Sequence, residues 1–224
     1  MKYQRILSFL VLLVLLPATA MSIEEPDYDV IGQYDDFELR RYAPYLVAEV
    51  DVDGDFDDAG NSAFRILAGY IFGDNASAEK MEMTAPVESR PAGEGEKMAM
   101  TAPVTAMTSK SDGKTTYAFV MERKYTIDSL PVPNDKRIRI RQVPERTMAV
   151  RRYSGRWTQD KYLQHEQALR DALSTVGIET ISGPVLARYN SPFSLPFMRR
   201  NEVMYEVLGQ DSYRAAHRAH AYGR

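Results

Sequence analysis

Apolar positions change their spacing several times along the chain. Phe37, Leu39, Tyr42, Leu46, Ala48 and Val50 alternate with polar residues around Pro44, the period of a strand with one wet face. Two strands, or one bent strand, are predicted there, forming a β-hairpin that ends near Val52. The period then lengthens. Ala63, Phe64, Leu67, Ala68, Ile71 and Phe72 follow helical spacing, after acidic residues suited to a helix N-terminus and before Gly73. A first helix is expected over about 57–72. Two copies of Lys-Met-x-Met-Thr-Ala-Pro-Val, at 80–87 and 97–104, and the stretch 115–125 supply further extended segments. Pro86 and Pro103 restrict each copy to an edge, a strand end or a bulge, and 129–135 reads as a loop.

Beyond that loop the first pattern returns at a constant offset of 101 residues: Phe37 over Ile138, Leu39 over Ile140, Ala48 over Ala149, Gly54 over Gly155, Phe56 over Trp157. Thr158 is a good N-cap for a second helix through Leu169, Ala172, Leu173 and Val176, stopped by Gly177. Residues 183–192 and 201–208 then read as closing strands, as 101–107 and 117–122 do in the first copy. Two copies of hairpin, helix, hairpin cannot each bury a helix and a sheet face alone. The expected outcome is one α+β domain, mainly antiparallel, with the sheets joined into a curved or barrel-like surface that carries both helices.

Before this domain, Lys2 and Arg5 precede an apolar run over 6–16 and the small residues Ala18-Thr19-Ala20. That is the pattern of a signal peptide, residues 1–20, cut after Ala20, and predicts an exported protein, periplasmic or secreted, with no stable membrane anchor once cut. The domain is placed at 21–209 and a tail at 210–224. There is no cysteine, so disulfides, lipid attachment on cysteine and C-x-x-C-H haem attachment are excluded. Twenty-eight Lys and Arg against 31 Asp and Glu argue against a nucleic-acid surface. No nucleophile elbow, H-E-x-x-H or P-loop is present, so no enzyme is predicted.

The strings "AFRILAGYIFGDN", "KMEMTAPV", "FVMERKYTIDSLPVPNDKRIRI", "RRYSGRW" and "YNSPFSLPFMRRNEV" together resemble the SOUL haem-binding proteins, from about residue 28 to residue 207. The doubled methionine segment looks like the exported bacterial branch. The resemblance implies a distorted eight-stranded antiparallel β-barrel with two flanking helices. It also implies haem or another tetrapyrrole held non-covalently in a shallow apolar groove near the first helix; a carrier, buffer or scavenger is the expected role, and a monomer the favoured state. A general module for amphipathic small molecules, or a hydrolase using a buried glutamate (Glu82, Glu122 or Glu202), are the other readings.

The groove so expected is built from Phe64, Arg65 and Ala68 of the first helix, Met81 and Met83, and the strand near Tyr189. Thioethers can ligate haem iron, but methionine is more often core filler, and Met81 and Met83 would share one strand face. Arg65 suits a propionate. His165 reads as a helix-surface histidine, and His217 and His220 fall in the tail, so no histidine lies in the groove segments. The acidic run 51–58 lacks the Gly and Glu of a calcium loop and reads as a turn and helix start. Arg199, Arg200 and Glu202 read as a brace for the last strand, with anion capture by Arg199 or Arg200 as the lesser role. Trp157 reads as a corner anchor.

Overall fold

A computed structural model of the chain describes residues 24–54, 56–76, 95–108, 114–190 and 194–208. The leader, the tail with His217 and His220, and Met81, Glu82 and Met83 lie outside the described residues. In chain order the elements are β1 (Tyr28–Gln33), β2 (Glu38–Tyr42), β3 (Tyr45–Val52), α1 (Phe56–Ile71), β4 (Asn75–Ala76), β5 (Val104–Thr108), β6 (Thr115–Val120), β7 (Val132–Pro133), β8 (Arg139–Val143), β9 (Arg146–Tyr153), α2 (Gln159–Thr175), β10 (Val185–Arg188) and β11 (Asn201–Val207). Gly73 and Gly177 follow the two helices with φ of 114° and 71°, the left-handed backbone that ends a helix without a Cβ penalty. Thr158 caps α2 by accepting from Lys161 N.

Nine strands form one antiparallel sheet in the order β1-β2-β9-β11-β10-β5-β6-β3-β8, and β4 pairs with β7 in a separate ribbon. The sheet curls into a half-barrel with both helices on one face, the α+β architecture expected. Eight of its strands belong to the two sequence copies, and β1 adds a ninth outside the repeat. Without β1 the order reads the same from either end once each strand is exchanged for its counterpart. Leu39 pairs with Ala149 at one end and Ile140 with Ala48 at the other, the same pair with its members exchanged. The pseudo-twofold passes between β5 and β10 at Ala106 and Leu186. Gly54 and Gly155 both take φ 123°, so one turn, open to glycine alone, leads into each helix.

The expected hairpins around Pro44 and Pro144 do not form. β2 pairs with β1 and β9, whereas β3 pairs with β6 and β8. A two-residue hairpin needs positive φ in its turn; among the described residues only glycines have it, and neither Ala43-Pro44 nor Pro144-Glu145 contains one. Each copy therefore lends an edge strand to the other. The second hairpin of each copy, β5–β6 and β10–β11, does form.

Alternation decides which face meets which helix. Ala48, Val50, Tyr117 and Phe119 pack under Ala63, Leu67 and Ile71 of α1. Ala149, Val203 and Tyr205 pack under Leu169 and Leu173 of α2. Leu67 and Leu169 are fully buried, which stabilises each helix dock by about 1.5–3 kcal/mol per side chain. The opposite face carries Tyr42, Met148, Val150, Ala187, Tyr189 and Met204.

Candidate functional site

α1 is apolar around more of its circumference than docking requires. Phe64, Ala68 and Phe72 stand at i, i+4 and i+8, and the N–H of Phe72 still bonds to Ala68 O, which carries the row one residue past the helix. Phe64 is 37 % exposed and Phe72 57 %, with Ala68 nearly buried between them. Two phenyl rings thus project on either side of a methyl group, about 12 Å apart along the axis. Phe64 is held from below by Phe119, ring centre to ring centre 5.6 Å.

Beside this row runs a cleft of about 350 Å³ lined by Ser62, Arg65, Ile66, Gly69, Asp74, Asp135 and Arg137. Its far wall is the segment 131–137 around β7, fastened to α1 where Tyr70 Oη donates to Pro131 O at 2.7 Å, and to the turn after α1 where Asn134 Nδ2 donates to Asp74 Oδ1 at 3.0 Å. Glycine inside a helix costs about 1 kcal/mol relative to alanine, and Gly69 leaves the cleft floor without a side chain. A Cβ there would meet only Asp74, at 4.0 Å. Arg65 donates from Nε to Asn61 O at 3.4 Å and is otherwise solvent-facing. Arg137 binds Asp135, and those hydrogen bonds hold the Asp135 carboxyl below its ordinary value.

Of the residues expected in the groove, the structure brings Phe64, Arg65 and Ala68 together. Tyr189 lies on the opposite face of the sheet, because it packs with Tyr42, Met148 and Met204 rather than with α1. The second methionine segment is described in part: Met98 is buried in the core under α1, its N–H bonded to Ile71 O at 2.8 Å, and Met100 is 41 % exposed. No strand forms over 95–103, so the two-residue alternation that would put both sulfurs on one face does not operate in this copy. Ser62, Gly69, Asp135 and Arg137 were missed. A mid-helix glycine was the one signal in sequence that could have marked this side of α1.

Tyr189 belongs to a second polar centre. Glu202, fully buried, receives Arg40 Nη1 at 3.1 Å, Arg200 Nε at 2.9 Å and Tyr189 Oη at 2.6 Å. The Arg200 guanidinium lies 3.7 Å from the Tyr189 ring centre and also binds Glu25. Burial works against the Arg40 cation, but Glu202, Tyr42 and Glu38 more than offset it and its pKa rises. Burial, then Glu202, pushes the Tyr42 hydroxyl up to about 12 and that of Tyr189 well above its usual value. The Arg200–Glu202 brace anticipated for the last strand is present, and Arg40 joins it from β2. Two guanidiniums against one carboxylate make this a structural lock more than an acid–base centre.

The other candidates are in structural use. His165 stacks on Tyr153 at 4.1 Å. Asp51 accepts from Arg139 and Thr116. No group of three metal-ligating side chains occurs among the described residues, and no described helix is long and apolar enough to cross a membrane.

A model of the SOUL haem-binding proteins matches residues 23–206. The chain belongs to the SOUL family. As such it is similar to Heme-binding protein 2 of Mus musculus, 28 % identical over 180 residues that span 78 % of this chain and 80 % of that one. Among solved structures this SOUL chain is similar to an uncharacterized conserved protein from Listeria innocua (TM-score 0.55, 13 % identity, 77 % of this chain and 92 % of that one). It is also similar to a hydrolase from Listeria innocua (TM-score 0.50, 14 % identity, 80 % and 94 %). At such identities the likeness is one of fold alone. Family membership supports haem or a related tetrapyrrole as the kind of ligand this chain takes.

Proposed function

We propose that the chain binds haem or another tetrapyrrole non-covalently along the outward face of α1 and acts as a carrier, buffer or scavenger rather than as an enzyme. The observation that carries this reading is the Phe64–Ala68–Phe72 row beside a cleft rimmed by Arg65. A flat apolar ring system suits the row, and a guanidinium suits a carboxylate side arm. The cleft is at the small end of ligand pockets, roughly 300–1,000 Å³, so a macrocycle would lie over it with one edge wet. No histidine lines the cleft, so the iron would receive little from its described walls, which favours release over redox chemistry. The chain contains no cysteine for thioether attachment.

The export reading belongs to the same proposal. A protein released after residue 20 would meet haem outside the cytoplasm, and the mass of the protein recovered from its own cells tests that step. Binding is tested by adding hemin to the purified chain and following the Soret band together with quenching of Trp157, its only tryptophan. A saturable Soret shift at micromolar hemin, shared by metal-free protoporphyrin but not by unrelated aromatic amphiphiles, is expected. Absence of any shift, or equal competition by unrelated amphiphiles, would remove the tetrapyrrole reading.

A further inference from the structure

Between β10 and β11, residues 194–199 present their side chains and their main chain in opposite ways. Leu195, Phe197 and Met198 are 56 %, 73 % and 66 % exposed, three large apolar side chains within four residues. Three carbonyls beneath them are already taken. Ser194 O accepts from Arg199 Nε at 2.9 Å. Leu195 O accepts from Met198 N at 2.9 Å, and Pro196 O from Gly155 N at 2.9 Å and Arg199 N at 3.2 Å. Pro196 has no N–H to satisfy. A loop made for water leaves polar main chain to the solvent and keeps large apolar groups few. This one satisfies the carbonyls of Ser194, Leu195 and Pro196 internally and turns its large apolar groups out, which lowers the cost of entering the apolar edge of a lipid headgroup layer.

Cations surround the knob. The Arg199 guanidinium sits 4.4 Å from the Trp157 ring, Lys161 reaches back to Gly155, and Arg156 is exposed. The carboxylate nearest Arg156 and Lys161 in sequence is Asp160, in the first turn of α2, and the one nearest Arg199 is Glu202, which Arg40 and Arg200 engage. The half-buried Trp157, its Nε1 donating to Asn201 at 2.7 Å, gives the collar an amphipathic ring of the kind that favours a lipid–water boundary.

We propose that this loop docks on a lipid surface bearing anionic headgroups, with Leu195, Phe197 and Met198 entering the headgroup boundary and Arg156, Lys161 and Arg199 facing phosphates. A protein partner would need roughly 800 Å² of matched surface on each side, and a four-residue knob in a cationic surround supplies no such face. The contact is independent of haem. It would bring the chain to the layer where an amphipathic ligand partitions.

The test uses the chain from residue 21 onward, so that the apolar run 6–16 cannot bind lipid by itself, without hemin, against phosphatidylcholine vesicles with and without phosphatidylglycerol. Co-sedimentation with the anionic vesicles, weakened by salt, is expected, with quenching of Trp157 by brominated lipid. Replacing Phe197→Ser and Met198→Ser together should lower the partition by at least about 30-fold, and replacing the exposed Arg156→Gln by about 5-fold, with thermal unfolding and hemin affinity unchanged in both. Equal sedimentation of the double variant, or no sedimentation with either vesicle, would overturn the proposal. So would a dimer in solution that the double variant breaks, since the knob would then be an interface between copies.

Discussion

α1 and α2 hold equivalent places on a sheet that, β1 apart, reads the same from both ends, yet their outward faces differ. α1 exposes Phe64 and Phe72 around a cleft floored by Gly69. α2 turns Gln164, Gln167, Arg170 and Asp171 to solvent around one exposed apolar side chain, Leu163, and ties two of the polar ones together, Gln167 Nε2 to Asp171 Oδ1 at 2.8 Å. Inward, both do the same work with the same kind of residue, Leu67 and Ile71 in one, Leu169 and Leu173 in the other. The fold constrains only the buried stripe, so the two outward faces were free to diverge, and what distinguishes them is the best guide to where function sits. The sheet's other face diverges in the same way. Glu202 pairs across from Arg152 and Thr116 across from Asp51, positions 101 apart, so Thr116 is the counterpart of Glu202. A buried carboxylate locks the second copy, and a threonine bonded to Asp51 stands in the first.

The sharpest way to break this comparison is at that lock. Glu202→Gln leaves Arg40 and Arg200 without their shared carboxylate and should lower unfolding free energy by about 3–5 kcal/mol in urea titrations. Thr116→Val, the counterpart, should lower it by less than about 1 kcal/mol. Equal losses would mean that the two faces are not specialised as described. Next in size are the paired turns. Gly54→Ala and Gly155→Ala each force a side chain into φ 123° and should cost about 1–3 kcal/mol each. The Gly155 variant must also move the flexible Lys161 side chain, so clearly unequal losses would show that the turns are not equivalent under load.

Much of this architecture was legible because it depends on spacing. The constant offset of 101 identified the repeat, Thr158 and Gly177 bounded α2, and the change of period placed α1. Strand pairing was not legible, because alternation says which face a residue occupies and nothing about its neighbour across the ladder. Only the missing positive-φ residue at Ala43-Pro44 argued against a hairpin. The same limit explains the site. Phe64, Arg65 and Ala68 share one helix and were readable together, whereas Asp135 and Arg137 reach the cleft from a loop some 70 residues away in sequence. Arg40 meets Glu202 only because β2 crosses to the other copy.

Smaller effects sharpen the contrast between the helices. Arg65→Gln should weaken hemin binding by about 3- to 10-fold and leave binding of a porphyrin dimethyl ester unaltered, whereas Arg170→Gln on α2 should change neither. His165 offers a pH signature for the α2 side. Burial, then Arg151 and Lys161, holds its pKa below the ordinary 6.5, so the unfolded chain takes up a proton before the folded one. Its contribution to stability is complete above 6.5 and is lost as pH falls from there toward the folded value. His165→Gln should therefore flatten the stability difference between about pH 7.5 and 5.5, read from chemical denaturation at each pH. An unaltered slope would place that pH dependence on other groups.

The most direct measurement is hemin affinity after adding bulk to each helix in turn. Gly69→Leu fills the cleft floor where a new Cβ meets nothing closer than 4.0 Å, so it should keep or raise thermal stability while weakening hemin binding by at least about 10-fold. Gln164→Leu on the exposed face of α2 should leave affinity unchanged. Full affinity in the Gly69 variant, or an equal loss from the α2 variant, would contradict a tetrapyrrole site on α1.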